Sequence, residues 1–176
     1  MSKIYILSIV NDDKKLMKLF KDFERKYNGI TGASDNYPHI TFQIGKIKNL
    51  NEIKKELKKI SSETKPIKIE IVGLTNWSKR RIYYKIKRTS DLIRLNKAIN
   101  HLFKLYSKKF STDYTTKLWI PHIAVGDKIQ KNKFKNAFNE VNSKKIKRIH
   151  KINYIYIVEE RQTGRFKTIK RYKLSK

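Results

Sequence analysis

The tripeptide Pro-His-Ile occurs twice in the chain, as Pro38-His39-Ile40 and as Pro121-His122-Ile123. The sequence holds only three prolines and four histidines, so a random order of the same residues would give about 0.07 Pro-His pairs. Each copy heads an apolar, strand-like run after a polar loop, with Gly45 or Gly126 a few residues downstream. Duplication of one supersecondary unit accounts for the pair. Two imidazoles with ordinary pKa values of about 6.5 suit in-line transfer at a phosphodiester. The neutral one takes a proton from the attacking water or hydroxyl, and the protonated one gives a proton to the leaving oxygen. Side chains alternate along a strand, so Thr41 shares the face of His39 while Ile40 turns into the core. Its hydroxyl is placed to donate to a non-bridging phosphate oxygen. His39, His122 and Thr41 are therefore the candidate catalytic residues. His101 lies among helical core positions and His150 in a basic run; both are expected to be structural or exposed.

The elements that must bring these residues together are legible in outline. Alternation and β-rich composition predict strands at 4–10, 39–45, 67–74, 82–86, 122–126, 151–158 and 166–174. Helical spacing predicts helices from a cap at Asn11-Asp12-Asp13 to about residue 27, at 50–61, at 90–110 with Leu92, Leu95, Ile99, Leu102 and Leu105 inward, and at 131–141. In the strand at 151–158, Ile152, Tyr154 and Tyr156 share one face and Asn153, Ile155 and Ile157 the other. A polar loop with Gly32, Ser34 and Asp35 precedes the first motif. If the strand at 82–86 opens the second half, each half runs strand, helix, motif strand, helix, strand. The expectation is an α+β fold: one domain over residues 1–176, built as two pseudo-symmetric lobes with largely antiparallel sheets, the two motif strands converging on a central cleft.

Composition narrows the partners. Lys and Arg total 43 against 15 Asp and Glu, a formal charge of +28. Abundant Lys, Asn and Ile suggest codon bias, but that does not explain the scarcity of Glu. Such an excess favours polyanions through counterion release and steering, so nucleic acid or a nucleotide is the expected partner, which the resemblance described below narrows to RNA, an oligonucleotide or a cyclic nucleotide. The absence of Cys removes disulfides, thiolate chemistry and Cys-based zinc sites. No metal-ligand spacing, P-loop or carboxylate pair stands out, so neither metal nor cofactor is expected. No stretch approaches the roughly 20 apolar residues of a membrane span, which leads to the expectation of a cytoplasmic protein. A cleft complete within one chain leads to the expectation of a monomer.

Tyr37-Pro38-His39-Ile40-Thr41 and Trp119-Ile120-Pro121-His122-Ile123-Ala124 resemble the two His-x-Thr/Ser motifs of the 2H phosphoesterase superfamily. That family includes 2′-5′ RNA ligase-like proteins, RNA 2′,3′-cyclic phosphodiesterases and phosphodiesterases of 2′-5′ and cyclic oligonucleotides. Gly73, Trp77 and Arg81 are similar to its Gly, aromatic and Arg ahead of an apolar strand. The resemblance spans nearly the whole chain. It implies a duplicated α+β fold and metal-independent cleavage of a 2′,3′-cyclic phosphate, a 2′-5′ linkage or a cyclic or oligonucleotide signal, with reversible 2′-5′ ligation as a related activity. It implies substrate contacts at Tyr37, Trp77, Arg81, Trp119 and position 124. The two Trp offer stacking faces for a base, although packing is the commoner fate of Trp. Ala124 departs from the pattern, because the family carries Thr or Ser there. The missing hydroxyl leaves a second reading open, an RNA- or nucleotide-binding module with weak or no turnover, unless water, Lys128 or a nearby Tyr substitutes. Glu159-Glu160-Arg161 stands out as an acidic exception with no evident role.

Overall fold

In the computed structural model, which describes residues 3–27, 37–161 and 166–176, two antiparallel sheets face each other across a cleft and carry helices on their outer sides. In chain order the elements are β1 Ile4–Ile9, α1 Lys14–Tyr27, β2 His39–Ile47, α2 Leu50–Ser62, β3 Ile67–Trp77, β4 Arg81–Ile86, α3 Ser90–Tyr106, β5 Ser107–Phe110, a 3-10 turn Thr112–Tyr114, β6 His122–Gly126, α4 Lys131–Ser143, β7 Ile149–Ile152, β8 Tyr154–Glu160 and β9 Phe166–Lys173. One sheet has the order β5-β2-β1-β8-β9 and the other β6-β4-β3-β7. Every pairing is antiparallel. The α+β class and its antiparallel sheets are thus as the sequence implies. The loop with Gly32, Ser34 and Asp35 lies outside the described residues.

Both sheets draw strands from both halves of the sequence. β3 leaves the first half to pair with β4, and β8 returns from the second half to pair with β1. The crossing point is Asn153, where the single strand expected over 151–158 divides. β7 pairs with β3 in one sheet and β8 with β1 in the other. A break there overrides the simple alternation, so Ile152 and Ile155 both reach the core. Tyr154 and Tyr156 instead join Leu7 and Val158 in a small separate apolar cluster.

Burial of the outer faces explains the helices. α3 packs on β2, α2 on α3 and β9, and α1 on α4 and β6. Asp13 caps α1 by accepting from Lys15 N at 2.8 Å, and it also accepts from Lys147 N. His150 is buried beside this cap, its Nδ1 2.7 Å from a carboxylate oxygen of Asp12, which gives it a structural place; His101 is exposed. The helix expected over 90–110 ends at Tyr106. Ser107 donates its hydroxyl to the Phe103 carbonyl, and the chain extends into β5 against β2. Leu105, expected inward, is exposed, because Leu102 and Phe103 already fill the buried face of that last turn.

The glycines downstream of each motif histidine answer to packing. A Cβ on Gly45 would lie 2.6 Å from the Lys109 carbonyl of β5, and one on Gly126 would collide with the Phe23 ring of α1. Gly126→Ala should therefore lower stability by about 1–3 kcal/mol, the usual cost of overpacking. Urea denaturation of the variant beside the parent protein checks this.

Candidate active site

The two motif strands begin in the same way. His39 is the first residue of β2 and His122 the first of β6. The proline before each lacks an N–H, and its carbonyl accepts from a neighbouring segment: Val10 N to Pro38 O at 2.7 Å, and Ile86 N to Pro121 O at 3.0 Å. Each histidine then turns its Nδ1 to the carbonyl two residues back, His39 to Tyr37 O at 3.0 Å and His122 to Ile120 O at 2.8 Å. A carbonyl only accepts, so Nδ1 carries the hydrogen in both rings and Nε2 is left for a ligand.

Further bonds hold the first motif strand in place. Buried Asn96 of α3 donates to the Phe42 and Tyr114 carbonyls, and Asn100 donates to Tyr114 O while accepting from Gln43 Nε2 at 2.7 Å. The Trp119 indole donates to the Thr41 carbonyl at 2.9 Å and lies against Phe42. This corrects the expectation for Trp119. Its ring is 1% exposed and ties the two motif segments together, so it offers no stacking face to a ligand.

Register puts the reactive side chains on the cleft side. His39 and Thr41 lie opposite Ile9 and Leu7 of β1, and Ala124 lies opposite Tyr83 of β4. His39, Thr41, His122 and Ala124 line one cavity of about 430 Å³ together with Trp77 and Arg81. Trp77 packs edge-on to His122, with ring centres 4.9 Å apart, and against Tyr83 at 4.2 Å. Arg81 Nε donates to Asp127 at 2.7 Å, so part of its charge is already met. Tyr37 is exposed and is not among the side chains that line the cavity; its part there is the carbonyl that orients His39.

Several lining residues were not singled out from the sequence, namely Tyr5, Tyr83, Tyr114, Asp127 and Phe166, and Glu160 was noted there without a role. Tyr83 had a signal, since it follows Arg81 by two on the same strand. Glu160 also had one, as an acid kept in a strongly basic chain. It accepts from the Tyr5 hydroxyl at 2.8 Å and meets Lys3 at 3.5 Å. Lys128, considered as a substitute donor, also lines the cavity, in a left-handed backbone conformation at φ 57°.

The site disfavours positive imidazoles. Burial pushes His39 down to about 4, against the opposing hydrogen bond to Tyr37, and the charge of His122 lowers it further. Burial also lowers His122, opposed by its bond to Ile120 and reinforced by Arg81. Both rings are therefore neutral in the free protein at neutral pH. A bound phosphate would favour uptake of one proton, because a nearby anion stabilises the imidazolium. Among the described residues no three His, Cys, Asp or Glu side chains gather as metal ligands, and no helix is long and apolar enough to cross a membrane.

The fold has a counterpart in a solved structure. TT0787 of Thermus thermophilus superposes with a TM-score of 0.61 at 10% identity, over 98% of this chain and 97% of that one. Usb1 of Kluyveromyces marxianus gives a TM-score of 0.47 at 9% identity, over 99% and 98%. No curated protein matches the chain by sequence. The family model for the 2′-5′ RNA ligase superfamily matches residues 15–163, a span that holds both Pro-His-Ile motifs, and the chain belongs to that superfamily, the 2H phosphoesterases its motifs resemble.

Proposed function

We propose that the protein is a metal-independent phosphodiesterase that cleaves RNA-like phosphodiesters by two-histidine acid–base catalysis. The observation that carries this reading is the matched pair of imidazoles. They come from different sheets, line one cavity, and each holds Nδ1 on a backbone carbonyl with Nε2 left for the substrate. Superfamily membership supports phosphodiester chemistry on RNA or nucleotides. The phosphate sits between the rings. One Nε2 takes the proton of the attacking water or ribose hydroxyl as the new P–O bond forms. The other, protonated, gives its proton to the leaving oxygen as the old P–O bond breaks. Thr41 donates to a non-bridging oxygen, where charge accumulates. Arg81 and Lys128 draw the anion in, and Trp77 contacts the substrate beside His122.

The deciding experiment offers 2′,3′-cyclic nucleotides, 2′-5′ oligomers and cyclic dinucleotides to the purified protein in EDTA. Turnover of at least one class is expected. Activity that vanishes in EDTA and returns with a divalent ion would overturn the mechanism. The pH profile of kcat/KM follows from the free-site shifts. Activity needs one neutral and one protonated ring, and both rings titrate below the ordinary 6.5. The bell should therefore peak on the acid side of 6.5 and fall about tenfold per pH unit well above the upper limb. The kcat profile reports the bound state, so its alkaline limb should lie at higher pH, because the phosphate charge raises the pKa of the acid.

Ala124 favours a second reading, a nucleotide-binding module that kept the cleft and lost turnover. The same panel separates the two, since that reading expects saturable binding without product for every member.

A further inference from the structure

Beside His122 the surface is unexpectedly apolar. Trp77, Leu118 and Ile120 are 36%, 57% and 44% exposed, and all three line a second hollow of about 400 Å³. This hollow shares Trp77, Arg81, Tyr114 and His122 with the main cleft, so the two adjoin at the histidine. The exposure is built in. Buried Trp119 pins the segment to the core through its bond to Thr41, while Leu118, at the end of the turn before it, and Ile120 after it stay outside. Leu118 N and Trp119 N both donate to the Thr115 carbonyl, at 2.9 and 2.8 Å, and Arg88 donates to Thr116 O at 2.6 Å. Two large apolar side chains are thus held in water next to a catalytic candidate.

We propose that this shelf is a subsite for one nucleobase, that of the nucleoside attached to the scissile phosphate on the His122 side. The inference rests on the phosphodiesterase reading and adds to it the class of substrate: a diester that carries a base on that side, as in a dinucleotide, a longer strand or a cyclic dinucleotide. The chemistry of the walls selects the occupant. Leu118 and Ile120 give an apolar surface, and Trp77 gives a flat ring on which any base can stack. Asp113 also lines the hollow and can accept from the N–H edge of a base. A second phosphate fits poorly there, because the Asp113 carboxylate on the wall repels it.

The test uses three phosphodiester-linked dinucleosides: one with both bases, one abasic on the 5′ side and one abasic on the 3′ side. With the parent protein, removal of one of the two bases should lower kcat/KM by about tenfold or more, on the scale of base–aromatic stacking. Leu118→Ser should shrink that penalty several-fold, while Leu118→Phe should preserve it. A penalty equal in the parent and in Leu118→Ser, or none on either side, overturns the subsite. If none of the three is cleaved, the panel of cyclic nucleotides and 2′-5′ oligomers decides the phosphodiesterase reading separately. The shelf is then read by titrating tryptophan fluorescence with the same compounds. Base-dependent binding weakened by Leu118→Ser upholds it, and binding indifferent to the base, or no binding, overturns it.

Discussion

His39→Ala and His122→Ala should each lower kcat by about 10²–10⁴-fold, the usual range for loss of a general acid or base. The two substitutions should resemble each other, because the two sites are built alike, down to the Nδ1 bond to the carbonyl two residues back. The double variant should lose much less than the product of the single losses, since neither proton transfer is useful without the other. Binding of a non-hydrolysable dinucleotide should persist in all three proteins. The measurement is kcat and the dissociation constant for each variant on one substrate. Near-parental turnover in either single variant would remove the two-histidine mechanism, and loss of binding together with turnover would point to damaged structure.

The second large effect concerns the hydroxyls around the phosphate. Thr41 lines the cleft beside His39, and the bond from Trp119 to its carbonyl fixes the backbone that carries its side chain. Thr41→Ala should lower kcat by about 10²–10³-fold, the scale of one oxyanion donor. On the opposite strand Ala124 supplies no such donor, yet its register partner is Tyr83, whose ring centre lies 5.3 Å from that of His122. Two outcomes distinguish the roles. If the second donor is simply missing, Ala124→Thr should raise kcat by about tenfold and Tyr83→Phe should change little. If Tyr83 has taken the role, Tyr83→Phe should cost as much as Thr41→Ala, and Ala124→Thr should be neutral or harmful through crowding against the ring. A harmless Thr41→Ala would leave the first motif with no function for its hydroxyl.

The motif residues that line the cavity were legible in the sequence, because strand spacing is local. His39 with Thr41, and His122 with Ala124, need only the period of a strand to share a face. The antiparallel α+β class followed from the alternation of strand and helix signals. What the sequence did not carry is tertiary. Trp119 reads as a core residue by its commoner fate and as a stacking platform by the resemblance, and its burial and bond to Thr41 decide for the core. The strand expected over 151–158 divides at Asn153 because two separate sheets compete for it, which no local period encodes. Tyr5 and Glu160 come together across the β1–β8 pairing, from opposite ends of the sequence. Their place in the cleft wall could not be read from neighbours along the chain.

The partnership of β1 with β8 also bears on how the protein is made. Tyr5 bonds to a side chain 155 positions later, and β1 takes β8 as its neighbour on the side away from β2. During synthesis β1 and β2 can form a pair early, but one edge of β1 has no native neighbour until β8 leaves the ribosome. For most of translation the growing chain therefore presents an unpaired edge on an apolar strand, the kind of edge that recruits other strands. Such long-range closure slows folding and lengthens that exposure. Lysines along the rest of the chain give emerging copies a like charge, which opposes their association during this interval.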